Sequence, residues 1–248
     1  MKSVKDTPIP LAVGGEFLAR VRDISERIRI EGRGLWSRNG VKGVSIRGER
    51  LKRDGRKEWR QWDPRSSKLG AGILRANIEP ETLVPAPGDT CLYLGAGHGT
   101  TISHLHDHLC GSKNHLGGAI IAVDLSPRCI RDLIRLSERR PGLIPILADA
   151  RNESLISPFL NSKVPWLFQD VSQAWQVELF IASCNRFLEP GGTGILSLKA
   201  ASERRISGGD MAQFDHAESS IQKAGFELIE RINLAGWEDQ HVLFHIRL

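Results

Sequence analysis

After Pro87-Gly88 the chain alternates short apolar runs with amphipathic segments, and that alternation leaves few folds open to it. Cys91-Leu92-Tyr93-Leu94, Ala119 to Val123, Leu143 to Leu147, Pro165 to Phe168 and Thr193 to Leu198 are the runs. Their composition suits central strands of a parallel sheet, where helices cover both faces. Between them lie stretches such as Pro127 to Arg140, with Ile130, Leu133, Ile134 and Leu136 on one helical face. Two β-rich runs close the chain, Phe226 to Leu234 and His241 to Arg247, joined by a loop containing Gly236. Strands alternating with helices predict a right-handed, doubly wound α/β sheet that ends in an antiparallel hairpin.

The pattern is different before about Leu83 to Gly88. Arg27-Ile28-Arg29-Ile30 and Val44-Ser45-Ile46-Arg47 alternate apolar with charged or polar residues, the period of half-buried strands. Glycines at 32, 34, 40, 43, 48 and 55 read as turns between such strands. The expected result is a small antiparallel β unit, too short to hold a large core alone. A helix is predicted over Lys68 to Ile78, with Leu69, Ile73 and Leu74 at helical spacing. This part of the chain is also where positive charge collects. Arg27 to Lys68 holds 14 Lys plus Arg against 5 Asp plus Glu, whereas the rest of the chain holds 20 against 24. A basic unit on a mildly acidic body points to a polyanionic partner, usually nucleic acid; a solvated charged face is the plain alternative.

At 248 residues the chain suits one domain or one main domain with an appendage. No run nears the roughly 18 to 20 apolar residues of a membrane helix, and Met1 to Asp6 leads into no apolar signal core. Cys91, Cys110, Cys129 and Cys184 are too scattered for a disulfide framework and form no C-x-x-C pair, so a reduced intracellular protein is expected. His104, His106 and His108 invite a metal reading. No Cys or carboxylate completes such a set, and no metal site is expected.

The polar residues at the ends of the apolar runs carry the chemistry. The first run ends in Gly95-Ala96-Gly97-His98-Gly99-Thr100-Thr101, a glycine turn at the start of a helix, where a ligand can approach the backbone. The dinucleotide fingerprint would require glycine at Thr100. The second run ends at Asp124, placed to accept hydrogen bonds from ribose hydroxyls. The third ends in Asp149-Ala150, suited to an adenine amino group, and the fourth in Asp170-Val171-Ser172-Gln173, where a second substrate would enter. NAD and S-adenosylmethionine both fit an adenosyl site of this kind. The closing hairpin and the missing third glycine favour S-adenosylmethionine.

Several longer segments resemble the fibrillarin family, in its archaeal form without an Arg/Gly-rich tail. They are Glu58 to Leu69 (EWRQWDPRSSKL), Leu92 to Gly95, Gly99 to His104 (GTTISH), Val123 to Arg128 (VDLSPR), Ile144 to Arg151 (IPILADAR), Asp170 to Gln173 (DVSQ) and Ser197 to Ala200 (SLKA). The resemblance implies a class I S-adenosylmethionine-dependent methyltransferase sheet of seven strands with a terminal antiparallel hairpin. It places a small basic β domain at residues 1–65 and the Rossmann-like domain at 66–248. It implies 2′-O-methylation of ribose in rRNA, and possibly tRNA, by a Lys-Asp-Lys-His tetrad matched by Lys68, Asp170, Lys199 and His241. Cofactor contacts would fall at Gly95, Gly99, Thr100, Thr101, Asp124, Leu125, Asp149, Ala150, Asp170, Val171, Ser172 and Gln173. Phosphate contacts are expected from Arg53, Arg56, Lys57 and Arg65. Implied partners are a box C/D guide RNA, the target RNA, a Nop-type coiled-coil scaffold protein and a kink-turn-binding subunit resembling a ribosomal protein. A cytoplasmic location is expected.

The chain departs from the family's usual pattern in four places. Asp124-Leu125 stands where Glu-Phe is usual, and His98 replaces a small residue in the glycine turn. Asp239-Gln240-His241 replaces Arg-Asp-His, and Cys110 to Gly118 is longer. Leu125 and His98 support one alternative, a catalytically weakened structural subunit; the resemblance to eukaryotic relatives implies a second, a methyltransferase acting on protein glutamine.

Overall fold

The computed structural model describes residues 21–202 and 208–248. The first twenty residues, which fall within the expected β unit and include Met1 to Asp6, lie outside the described residues. Five strands form an antiparallel sheet: β1 (Val21–Ser25), β2 (Ile28–Glu31), β3 (Gly34–Arg38), β4 (Leu51–Asp54) and β5 (Lys57–Trp62), in the order β1-β2-β3-β5-β4. A short turn capped by Asp63 leads into α1 (Lys68–Arg75), whose N-cap Ser67 accepts a hydrogen bond from the Gly70 N–H. The larger sheet contains β6 (Thr90–Leu94), β7 (Ala119–Asp124), β8 (Leu143–Leu147), β9 (Val164–Gln169), β10 (Leu188–Lys199), β11 (Glu227–Asn233) and β12 (His241–Arg247). Its order is β11-β12-β10-β9-β6-β7-β8, with β12 antiparallel to both its neighbours. The helices are α2 (Thr100–Leu109), α3 (Pro127–Ser137), the short α4 (Glu153–Ile156), α5 (Gln176–Phe187) and α6 (Gly209–Lys223).

Three sequence expectations need correction. Val44 to Arg47 is a loop, because Gly43 and Gly48 on either side adopt positive φ and the Glu49 carboxylate accepts the Ile46 and Arg47 N–H groups at 2.7 and 2.8 Å. Those amides are therefore spent locally and cannot join a ladder. Gly34, expected in a turn, instead opens β3, where a Cβ would stand 2.9 Å from the Trp36 indole nitrogen. The predicted helix from Lys68 stops at Arg75, not Ile78. The Asn77 and Ile78 N–H groups donate to the Glu230 carboxylate, a side-chain acceptor that halts helix propagation.

The smaller sheet has no core of its own. Ile24, Ile28, Leu35 and Trp62 join one continuous apolar cluster with Leu69, Ile102 and Leu105, so the sheet is held by packing on α1 and α2. Beside this contact lies a buried polar seam in which the three α2 histidines take part. Trp62 stacks on His104 at 4.8 Å, Ser37 hydroxyl meets His104 Nδ1 at 2.7 Å, and His108 Nε2 donates to the Pro85 carbonyl at 2.7 Å. His106 Nε2 donates to the Pro141 carbonyl at 2.8 Å, so all three histidines serve as links between layers. Among the described residues, no group of His, Cys, Asp and Glu is arranged to hold a metal.

Burial pushes His108 down to about 4 and holds His104 well below the ordinary histidine value. A folded-state value lowered from 6.5 means the unfolded chain takes up the proton first, so this contribution is complete above pH 6.5 and is lost toward pH 4. Thermal midpoints are therefore expected to drop across that interval, and His108→Gln should flatten the drop. A midpoint that is constant from pH 7 to 4.5 contradicts the assignment.

Candidate active site

Strand order reverses between β6 and β9, which pair directly while their chain connections run to opposite sides of the sheet. Ligands in open α/β sheets bind at such a switch, beyond the carboxyl ends of the strands. Here the two strand ends are in direct contact. The Asp170 N–H donates to the Leu94 carbonyl at 2.8 Å, and a Cβ on Gly95, whose φ is +83°, would lie 2.1 Å from the Asp170 carbonyl oxygen. Only glycine fits there.

A cavity of about 250 Å³ opens at this point, lined by Gly95, Val123, Asp124, Leu125, Ala148, Ala150, Asp170, Val171, Ser172 and Gln173. Asp124 is fixed by the Gly97 and Ser126 N–H groups, one on each carboxylate oxygen and each at 2.8 Å. Each oxygen keeps a lone pair for a diol. Leu125, 62 % exposed, and the buried Ala148 and Ala150 supply apolar walls. Gly99, Thr100, Thr101 and Asp149 stand outside this lining. Gly99 caps α2 against Leu133 and Leu136, and Thr101 hydroxyl pairs with Ser67 hydroxyl at 2.9 Å. Asp149 is clasped by Arg151, which holds its carboxyl below the usual range. Val123 and Ala148, which the sequence reading missed, line the cavity. Their signal was positional, since each directly precedes a strand-end residue or its neighbour.

Beside the cavity, Lys68 Nζ donates to both Asp170 oxygens, at 2.8 and 2.9 Å. Gly72 makes this contact possible by allowing α1 to lie on β12, since a Cβ there would approach Leu243 to 2.3 Å. Lys199 at the end of β10 and His241 at the start of β12 are register partners. Burial and the charge of Lys68 hold His241 below its ordinary value, while the Asp239 carbonyl, Glu238 and Asp170 act against them. His241 Nδ1 lies 3.1 Å from the Asp239 carbonyl, an acceptor, so Nδ1 carries the hydrogen and Nε2 keeps its lone pair. Of the four residues read as a tetrad, Lys68 and Asp170 are in contact where Asp170 lines the cavity, Lys199 and His241 are paired across strands, and His241 lies in the field of the first pair.

The basic residues are more dispersed. Arg53, Arg56 and Lys57 sit on the exposed β4–β5 hairpin, where Arg53 lies 3.8 Å from Glu58. Arg65 is also exposed and is paired with Asp63 at 3.1 Å.

A seven-stranded sheet with a reversed final hairpin, and a carboxylate at the end of its second strand, define the Rossmann-like class of S-adenosylmethionine-dependent methyltransferases. Within that class the chain belongs to the fibrillarin family, whose model matches residues 24–248. A Thermococcus onnurineus protein named fibrillarin-like rRNA/tRNA 2′-O-methyltransferase is 36% identical over 213 residues, covering 86% of this chain and 89% of that one. Aeropyrum pernix fibrillarin, solved with natively bound S-adenosyl-L-methionine, superposes with a TM-score of 0.75 at 26% identity, covering 92% of this chain and 99% of that one. A chain from a fibrillarin/Nop5p complex gives 0.74 at 28% identity, covering 90% of this chain and 98% of that one.

Proposed function

We propose that this chain transfers the methyl group of S-adenosylmethionine to ribose 2′-hydroxyls of rRNA and tRNA. It would act inside a box C/D ribonucleoprotein with a Nop-type scaffold, a kink-turn-binding subunit and a guide RNA that chooses the nucleotide. The observation that carries this reading is the Lys68–Asp170 pair at a cavity that Asp124 and Asp170 both line.

The cavity residues fit the cofactor. Asp124 suits the ribose diol, Leu125, Ala148 and Ala150 suit the adenine faces, and Asp170 suits a cationic centre. Bound there, S-adenosylmethionine supplies an electrophilic methyl group. The chain's own task is to hold the acceptor oxygen in line with that group and to take up its proton. Asp170 fixes the Lys68 ammonium, and the two together orient the acceptor hydroxyl. Lys199 stabilises negative charge as it develops on the oxygen. His241, neutral at pH 7 with its Nε2 lone pair free, is a base available to this cluster.

Methylation of a guide-matched target by a particle reconstituted from all four components tests this reading. A methyl group on the 2′-oxygen of the guide-specified nucleotide is expected. Label appearing only on protein glutamine, or no transfer despite cofactor binding, overturns it in favour of the two alternatives.

Two further outcomes follow. Asp124→Ala removes charge-assisted hydrogen bonds worth roughly 1.5 to 3 kcal/mol, so S-adenosylmethionine affinity should fall one to two orders of magnitude. Unchanged affinity by calorimetry would mean the cofactor lies elsewhere. Charge reversal at Arg53, Arg56 and Lys57 should weaken RNA engagement by the particle and flatten its salt dependence. An unaltered salt slope would assign that hairpin to solvent or to a protein contact.

A further inference from the structure

The loop that replaces the expected strand at Val44 to Arg47 docks directly on the glycine turn of the cofactor site. Arg47 Nη2 donates to the His98 carbonyl at 2.7 Å. His98 itself is held from the other side, its Nδ1 lying 2.7 Å from Asp132 Oδ2 on α3. A carboxylate accepts, so Nδ1 carries a hydrogen and the half-exposed ring turns to solvent with Nε2 unengaged among the described residues.

Between that loop and the start of α1 runs a groove of about 680 Å³, lined in part by Arg47, Arg50, Arg65, Ser66, His98 and Thr100. Ser66 lies two residues before Lys68, and Thr100 opens the helix that follows the glycine turn, so the groove borders the segments that carry Lys68 and the glycine turn. Its two acidic side chains are already committed. Glu49 accepts from the Ile46 and Arg47 amides and from Arg60, while Asp63 is paired with Arg65 and caps the turn before α1. Arg47 and Arg50 have no carboxylate partner among the described residues. A groove with uncompensated guanidinium groups and an oriented imidazole, leading to a ribose-modifying site, matches a polyphosphate chain.

We propose that this groove holds the phosphodiester backbone of the acceptor RNA next to the methylated nucleotide, with Arg47, Arg50 and His98 as phosphate contacts and Asp132 as the residue that positions His98. The inference rests on the methyl-transfer reading above. It differs from the hairpin contacts at Arg53, Arg56 and Lys57 in placing the grip within reach of the chemistry.

Single-turnover methylation by the reconstituted particle, titrated with target RNA at several salt concentrations, tests it. Arg47→Gln combined with Arg50→Gln should raise the half-saturating target concentration about tenfold and reduce the salt slope by about one to two. The loss should fall on half-saturation and not on the rate at saturation. Arg50→Gln alone, which leaves the Arg47–His98 bond intact, should reproduce roughly half of the slope change. His98→Ala and Asp132→Ala should each raise half-saturation about threefold, and together no more than either alone, because one acts through the other. Unchanged half-saturation and slope in the arginine variants overturn the groove while leaving methyl transfer standing. If the wild-type particle transfers no methyl group, the functional reading falls by itself. The groove is then judged by anisotropy of a fluorescent RNA oligonucleotide on the full chain, where an unaltered salt slope in the same variants overturns it.

Discussion

Asp107→Asn is expected to lower the unfolding free energy by about 3 to 5 kcal/mol, the range for removing one partner from a buried ion pair. Asp107 is fully buried on α2 and compensates two buried guanidinium groups at once, with Arg60 of β5 at 2.9 Å and Arg140 beyond α3 at 3.2 Å. Its backbone carbonyl also accepts two bonds from Arg27, so three separate segments converge on one residue. Burial alone would raise the Asp107 carboxyl; His106, 3.9 Å away, and the charges of Arg60 and Arg140 outweigh it and hold the group below the ordinary value of 3.8. A lowered carboxyl contributes stability that is present above that ordinary value and lost as pH falls beneath it. The asparagine keeps the shape, and Gly40, where a Cβ would stand 2.5 Å from Oδ1, already leaves the space it needs. The loss is therefore one of charge compensation. For a chain of this size the thermal midpoint should fall by roughly 10 °C. Arg60→Met added to Asp107→Asn should cost less than the sum of the two single effects, since Asp107→Asn already removes one of the two carboxylates that compensate Arg60. A midpoint within two degrees of wild type would show that the seam contributes little and that apolar packing alone holds the smaller sheet.

The contrast between seam and site explains what could be read from the chain. The central strands of the large sheet were legible because burial on both faces forces continuous apolar runs, and the polar residue ending each run then marks the ligand edge. Asp124 and Asp170 were found this way. The smaller sheet was harder to read. Its strands are short and carry inward-facing polar residues such as Arg60 and Ser37, whose partners on α2 are distant in sequence. Nothing local reveals that β5, in the basic part of the chain, turns Arg60 into the interior. The loop at Val44 to Arg47 was misread for the same reason: its alternation is real, but Glu49 captures the amides a strand would need. The α2 histidines resembled a ligand set because sequence spacing reports a shared helix face and not what faces it.

Asp170→Asn should reduce the rate of methyl transfer by roughly 10² or more, the scale expected when alignment and proton handling fail together. The substitution keeps the side-chain shape and leaves the Asp170 N–H bonded to Leu94 and its carbonyl against Gly95, so the fold and the cavity should survive. What is lost is the charge that both bonds from Lys68 Nζ depend on. An uncompensated ammonium then moves toward solvent or toward His241, which already lies in its field, and the acceptor hydroxyl loses its reference point. Lys199→Met removes the second cation from the end of β10 and should give a loss of similar size. Combining the two should cost less than the product of the single effects, because residues that act as a unit cannot be removed twice. Single-turnover rates at saturating S-adenosylmethionine, in a particle assembled before mixing, separate this step from RNA binding and cofactor affinity. A pH–rate profile adds a second readout, since a cluster that loses its carboxylate should shift the apparent value at which the base becomes available. Near-normal rates for both single variants would sink the tetrad and leave the family's fold with its proton acceptor elsewhere in the cavity.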